Sequence, residues 1–448
     1  MKCFKKGRWW VGLMALSAIL VLLVAACAPA AAPTPTPTKA AAPTAAPAAT
    51  AAAAPTKPAA EPTKPAAPAA TPTTAPPKAA SGTPIKIGFV TPLSGPLSSF
   101  GVLQRIAGKL AEEDINAAGG INGSPVQLLI EDSPFDPRQA VTVVRKLAET
   151  DKVFAIVGPY ATGEFENAAP LSNELKLLVV SPSAMKPGVA SRNRPYSFQM
   201  NLRDDIAEPI AIDAYKKKYP NVKKVVLTGD TKEAVTESMV KDVFPKLLKD
   251  KGLEIIDTVA FETTITDFSP VVTKIKSLNP DGVVLAALMP AGINFAKEYE
   301  RQGIKAPVLT SAHVIGGPFV QNAGTSVEGW VMPGLFNWEN TDPKVASFVK
   351  RFFERAAADP SVKPPPAHVS TEGIYYDTVM IIADVMRKAS IKPDTALQEA
   401  RDKIRDGFLN LKDYQGLSGK ISMNPTGETT REAMPAITAD KGKWAVVK

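Results

Sequence analysis

Histidine and cysteine carry much of the nucleophilic, acid-base and metal-binding chemistry of proteins, and this 448-residue chain has two of each, His313, His368, Cys3 and Cys27. Two isolated histidines far apart in sequence make neither a metal site nor an evident triad. For His313, just after the run "APVLTS", a loop or core position is the leading reading, and a ligand-facing role the alternative. His368 follows the Pro-rich "KPPPA". The acidic runs Glu112-Glu113-Asp114 and Asp204-Asp205 read as solvated helix faces. Phosphate loops fail as well: "GVLQRIAGK" spaces Gly101 too far from Gly108-Lys109 for a Walker A loop, and no G-x-G-x-x-G follows the first strand. "GLSGK" near the end is one residue short of a nucleophile elbow. An enzyme has no constellation to stand on, and no cofactor or metal is expected. The informative stretches are instead "TPLSGPLSSFG", "GPYATGE" and "SPSAMKPG", which are rich in small residues and hydroxyls.

Those stretches follow predicted strands, "IKIGFV" (85–90), "VFAIVG" (153–158) and "KLLVVSPS" (176–183), and two of them lead into helical patterns. Open α/β sheets bind ligands at the carboxyl ends of their strands, where the free N–H groups of a following helix can hold an anion. "VQLLIED", "KKVVLTGD", "LEIIDTVAF", "DGVVLAAL" and "APVLTS" continue the strand series, with helical stretches between most of them. One such helix opens on Asp136 as N-cap and Pro137, then sets Val141, Val144 and Leu147 on one face. This alternation of Val/Ile-rich strands with helices predicts parallel sheets covered by helices. "EGWVMP" reads as a further strand, followed by helices from Asp342, from about Val369 and around 394–409, and by an extended tail. A body of roughly 364 residues exceeds the usual single core, so two lobes are expected.

The N-terminus has a separate logic. "MKCFKKGRWW" is basic, and the uncharged apolar run from Val11 to Ala26 reaches only ~24 Å as a helix, short of a ~30 Å hydrocarbon core. Such a pattern describes a secretory signal. It ends in Val24-Ala25-Ala26-Cys27, which resembles the lipobox of bacterial lipoproteins. The resemblance implies cleavage before Cys27 and lipidation of its thiol. Residues 28–84 are mostly Ala, Pro and Thr and cannot offset their ordering entropy. A Pro-rich tether of that length spans roughly 40 Å as a coil and up to ~170 Å if fully extended. Of the formal charge of +8, the head holds +4 and the tether +3, so the folded part carries about +1. Nucleic-acid binding is not expected from that balance.

"LSGPLSSFG", "DINAAGGINGSPVQLLIEDSPFDPRQAVTVVRKL" and "IVGPYATGE" closely resemble the type I periplasmic binding proteins of the leucine/isoleucine/valine-binding group. The similarity continues through "DFSPVVTKIKSLNPDGVV" and "YYDTVMIIADVM" to "GLSGKIS", over nearly all of 85–448. It implies an α/β fold of two Rossmann-like lobes with parallel central sheets, joined by three crossovers that act as a hinge. By analogy the crossovers fall near Arg203, His313 and Lys412. The expected layout is a signal peptide over 1–26 and the lipidated tether over 27–84. One lobe would take 85–203 and 314–412, and the other 204–313 and 413–448.

The resemblance also implies a site. Phe100 takes the place of the aromatic that covers the ligand, and Thr162, with Tyr160 and Gly163 beside it, that of the hydroxyl on its carboxylate. Ser183, Ala184 and Met185 match the segment supplying main-chain groups and a Thr hydroxyl. In the second lobe, Ala234 and Ala291 align with a packing Tyr and with the Glu that pairs an ammonium. Met185 offers no hydroxyl and Ala291 no carboxylate, and a buried unpaired charge costs several kcal/mol. The expected ligand is therefore not a plain α-amino acid. A small apolar or aromatic carboxylate, or a neutral polar molecule, fits Thr162 with Phe100, Met185 and Met289, unless Asp230 or Glu233 replaces the lost carboxylate. The implied protein is a monomeric, lipid-anchored, extracytoplasmic solute-binding component of an ABC importer, delivering to permease and ATPase subunits. An extracellular sensor is the alternative.

Overall fold

The computed structural model describes residues 80–316, 318–432 and 434–447. The expected signal peptide, Cys27 and nearly all of the expected tether lie outside these residues. The first lobe begins with β1 (Ile85–Thr91), α1 (Ser98–Ala117), β2 (Val126–Asp132), α2 (Pro137–Glu149) and β3 (Ile156–Val157). It continues through α3 (Thr162–Glu174), β4 (Val179–Ser181), α4 (Val189–Arg192) and β5 (Ser197–Gln199). All five strands are parallel, in the order β2-β1-β3-β4-β5. Asp136 caps α2 by accepting from Arg138 and Gln139 N–H, with Pro137 in the first turn.

The second lobe takes α5 (Asp204–Lys218), β6 (Lys224–Asp230), α6 (Ala234–Ser238), α7 (Phe244–Asp250) and β7 (Glu254–Phe261). Then come α8 (Ser269–Leu278), β8 (Gly282–Ala286), α9 (Met289–Arg301), β9 (Val308–Thr310), α10 (Phe319–Ala323) and β10 (Val331–Pro333). The chain returns to the first lobe for α11 (Pro343–Ala358), α12 (Glu372–Lys388), α13 (Leu397–Leu409) and a small antiparallel sheet. That sheet holds β11 (Tyr414–Gly416), β12 (Gly419–Met423) and β13 (Thr429–Arg431). Finally β14 (Ala436–Asp440) and β15 (Lys443–Val446) complete the second large sheet, ordered β15-β14-β10-β9-β8-β6-β7. Five of its strands are parallel, and β14 and β15 run antiparallel.

Two expected crossovers are displaced. The segment after residue 313 stays in the second lobe, because β10 pairs with β9 and Val327, Trp330 and Met332 join that lobe's core. The segment after 412 stays in the first lobe, because Leu417, Ile421 and Met423 pack into its core. Gln199 N–H also donates to Gly427 C=O at 2.9 Å, tying the small sheet to β5. The returns therefore fall between β10 and α11 and between β13 and β14. Short strands with one buried face pair with whichever sheet edge is open to them, and that edge is a tertiary property.

Each large sheet is covered on both faces. In the first lobe, Leu103, Ile106 and Leu110 of α1 meet Tyr375, Val379 and Ile382 of α12 over β1, while α2 and α3 cover the other face. Burying one such aliphatic side chain is worth about 1.5–3 kcal/mol. The glycines of "GVLQRIAGK" serve this packing: a Cβ at Gly101 would lie 1.8 Å from Pro92 O, and one at Gly108 2.7 Å from the Phe89 ring.

Candidate functional site

The loops after β1, β3 and β4 meet the second lobe around a narrow cavity of about 40 Å3. The first lobe contributes Leu97, Tyr160, Ala161, Thr162, Ser183, Met185 and Thr371 to its wall. The second contributes Glu233, Val235, Leu288, Ala312, His313 and Ile315. Asn201 and Leu335, beside two of the crossovers, complete it. Small-molecule pockets occupy roughly 300–1,000 Å3, so the lobes must part to admit a solute.

Thr162 opens α3 and is buried. Ser183 Oγ donates to Tyr160 C=O at 2.6 Å and lies 3.2 Å from Tyr375 Oη, which fixes both the loop and the hydroxyl. Burial pushes the Tyr160 phenol well above its usual range, so it acts as a neutral hydroxyl. Behind α3, Glu164 accepts from Ser133 Oγ at 2.5 Å and from Ala161 N–H at 3.3 Å. Burial pushes that carboxyl up to about 7 despite these bonds.

Glu233 bridges the lobes. Its Oε2 accepts from Val235 N–H at 2.7 Å, capping α6, while Oε1 accepts from Gly163 N–H at 3.2 Å across the cleft. A helix N-terminus favours a carboxylate there. Burial raises the Glu233 pKa, against the N–H groups and His313, which favour the anion. His313 Nε2 lies 3.0 Å from Asp204 Oδ1. Burial lowers the imidazole pKa, but Asp204 and then Glu233 outweigh it and leave a net rise. On the next turn of α5, Glu208 accepts from Ala312 N–H at 3.2 Å. Burial, then Asp204, pushes the Glu208 carboxyl well above its ordinary value.

Of the residues expected from the sequence, Tyr160, Thr162, Ser183 and Met185 line this cavity. Gly163 and Ala234 line a neighbouring groove of about 390 Å3, together with Phe135, Asn167, Lys232 and Thr263. Phe100 lines neither: its ring packs 5.3 Å from that of Tyr160 and against Gly316 of the second lobe. Ala184 is also outside, its N–H donating to Ser181 Oγ and its C=O accepting from Gln199. Met289 and Ala291 are buried in the second lobe's core, because α9 turns that face onto its own sheet and leaves Leu288 at the cavity.

Both proposed replacements for the missing carboxylate have clear placements. Asp230 is used locally, accepting from Lys232 N–H at 2.8 Å and Thr263 Oγ1 at 2.6 Å. Glu233 lines the cavity. The site thus retains a carboxylate, and the expectation of a ligand without an ammonium loses its basis. Sequence reasoning missed Leu97, Ala161, Asn201, Val235, Leu288, Ala312, Ile315, Leu335 and Thr371. For Leu288 and Ile315 the signal was present, since both lie just beyond the carboxyl ends of parallel strands. Leu335 and Thr371 gave none, because their approach depends on the return of the chain to the first lobe between β10 and α11.

The family model described as "Periplasmic binding protein" matches residues 84–443. A leucine-, isoleucine-, valine-, threonine-, and alanine-binding protein of Pseudomonas aeruginosa is 25% identical over 346 residues, covering 77% of this chain and 87% of that protein. The structure of a branched-chain amino acid transporter substrate binding protein of Streptococcus pneumoniae, in complex with isoleucine, superposes with a TM-score of 0.69. It is 25% identical and covers 81% of this chain and 98% of that one. A solute binding protein of R. palustris in complex with 4-hydroxybenzoate gives a TM-score of 0.69 at 21% identity, covering 82% and 96% of the two chains. With two α/β lobes closing on one cavity and a family match over nearly the whole described body, this chain belongs to the periplasmic binding protein family and has the type I fold.

Proposed function

We propose that this chain is the extracytoplasmic substrate-binding component of an ATP-dependent importer, and that it captures a small carboxylate-bearing solute between its lobes. The observation that carries the reading is the interlobe cavity, walled by Thr162 at the start of α3 on one side and by Glu233 on the other. A solute carboxylate fits the hydroxyls of Thr162 and Ser183 near the positive end of the helix dipole. An ammonium fits Glu233, so amino acids qualify, and so do aromatic acids whose hydroxyl meets the same carboxylate. Relatives bound to isoleucine and to 4-hydroxybenzoate support both classes.

Solute contacts from the second lobe shift the open–closed balance toward the closed form, which then docks on a permease served by an ATPase. The protein acts as a monomer, held at the membrane by a lipidated Cys27 and its tether, and performs no catalysis. A thermal-shift panel of amino acids, hydroxybenzoates, amides and polyols tests the solute. A ligand at a hundred times its dissociation constant adds about 2.7 kcal/mol of stability, and silence across the panel would reject the reading. Cys27→Ser should release the protein from the membrane fraction; unchanged membrane retention would reject the lipid anchor.

A further inference from the structure

His313 is used by neither the fold's hydrophobic packing nor the solute contacts proposed above. Among the described residues lining the cavity it is the one side chain able to carry positive charge, since no Lys or Arg reaches that wall. Its side chain is 8% exposed, and that of Asp204, its partner, is wholly buried. Nε2 is engaged by Asp204 Oδ1 at 3.0 Å, the ring's other nitrogen, Nδ1, is without a protein partner among the described residues, and the residue lines the cavity.

The groups that face this imidazole all favour its charged form or are neutral. Asp204 lies behind it on α5, and its second oxygen has no hydrogen-bond partner among the described residues. Glu208, on the same helix, has its carboxyl pushed well above the ordinary value by burial and then by Asp204. Glu233 faces it from the start of α6. The neighbouring α9 presents apolar Met289, Ala291 and Gly292 on its buried face, with Gly292 against Val314, and adds no charge there. Arg203, at the entry to α5, is directed elsewhere, pairing with Asp205 at 2.8 Å and Glu428 at 2.6 Å. Removing the His313 charge would leave the Asp204 carboxylate buried without a counter-charge, which is the costly alternative.

We propose that His313 is the charged specificity residue of the cleft: anchored by Asp204, it donates Nδ1–H to an oxygen of the bound solute, selects carboxylates over their amides, and loosens its hold as pH rises. The proposal rests on the solute-binding reading above and names the feature of the solute that the second lobe reads. The sign follows from the chemistry. Below the imidazole's pKa the cation meets the carboxylate with a charge-assisted bond. Above it, the ring keeps a single proton, which Asp204 draws to Nε2, and Nδ1 turns into an acceptor facing another acceptor.

The test uses the full-length protein and four probes: L-leucine, 4-hydroxybenzoate and their amides, L-leucinamide and 4-hydroxybenzamide. Affinities are measured by calorimetry across the neutral range. For a carboxylate that binds, affinity should fall about tenfold or more between mildly acidic and alkaline pH, while its amide should show no such fall. His313→Gln should cost about tenfold on the acidic side and flatten the profile. Asp204→Asn, which keeps the imidazole, should move the profile to lower pH rather than abolish it, an outcome a merely structural role would not produce. NMR gives a readout free of solute: His368 is buried with its pKa pushed down to about 3, so the imidazole titrating near neutrality is that of His313. Its midpoint should lie above the ordinary value and drop in Asp204→Asn. A carboxylate held equally by wild type and His313→Gln, or a midpoint unmoved by Asp204→Asn, would overturn the proposal. Failure of all four probes to bind wild type would instead reject the solute-binding reading, and this inference with it.

Discussion

The two walls of the cleft are built differently. The first lobe meets the cavity with neutral groups: the hydroxyls of Thr162, Ser183 and Thr371, the Tyr160 phenol and the apolar Leu97 and Met185. The second lobe meets it with aliphatic side chains and two ionisable ones, Glu233 and His313. The first wall is a preformed cradle, its Ser183 and Tyr160 fixed by bonds within the lobe. On the proposed reading, the second brings charge to a solute already seated. That division suits a two-lobed binder, since closure is favoured only by contacts that the open form lacks.

The largest effect expected on either side of this contrast is steric. Gly101→Ala would place a Cβ 1.8 Å from Pro92 O inside the first lobe, and the thermal midpoint should fall by the equivalent of about 3 kcal/mol or more. Gly316→Ala instead strikes the Phe100 ring across the cleft, with its Cβ at 2.1 Å and a backbone φ of +148°. It should abolish capture, and the strained backbone should add a loss of thermal stability smaller than that of Gly101→Ala. Equal destabilisation by both substitutions would mean that the Phe100–Gly316 contact belongs to the folded core rather than to closure.

A smaller effect separates the charged wall from the neutral one. Glu233→Gln should weaken an amino acid about tenfold or more through the lost ammonium partner. It should leave 4-hydroxybenzoate within about threefold, because a hydroxyl is served by an amide oxygen as well. Thr162→Ala, on the neutral wall, should weaken both solutes alike, by roughly tenfold, as calorimetry would show. If Thr162→Ala discriminated between them and Glu233→Gln did not, the assignment of charge reading to the second lobe would be reversed.

An effect seen only toward neutral pH and above lies beside the first wall. Glu372 is fully buried, its Oε2 accepts from Ser370 N–H at 2.6 Å, and burial pushes its carboxyl up to about 7. A carboxyl whose folded pKa is raised adds no cost below its unfolded value near 4.5. The cost grows as pH rises from there to about 7, and then levels off. Glu372→Gln should therefore stabilise the protein at pH 8 by up to roughly 3 kcal/mol and leave it unchanged at pH 4, as denaturant titration would show. A constant difference at both pH values would assign the effect to packing instead of charge.

The parallel sheets were legible because Val- and Ile-rich runs such as "IKIGFV" and "DGVVLAAL" are buried on both faces, a pattern few other architectures accommodate. The first wall was legible for a related reason: Tyr160, Thr162 and Ser183 lie a few residues beyond strand ends, so their place follows from local connection. The second wall was read less well. Ala234 and Ala291 rested on an alignment register, and a shift of one residue separates Ala234 from Glu233, which the structure sets in the cavity. Met289 and Ala291 depended on the rotation of α9 about its axis, which packing against β8 and β9 sets.

Sequence by itself determined the alternation of strand and helix, the loops that carry the first lobe's hydroxyls, and the near-neutral charge of the folded body. These follow from local pattern and composition. Tertiary structure alone decided that β10 extends the second lobe's sheet and that the β11–β13 sheet joins the first. It also decided that Phe100 packs across the cleft and that His313 meets Asp204 over a separation of 109 residues. Local pattern cannot report which sheet edge is open, which helix face turns inward, or which buried charges come to neutralise one another. Those are settled only when two lobes, each with its own core, are brought together.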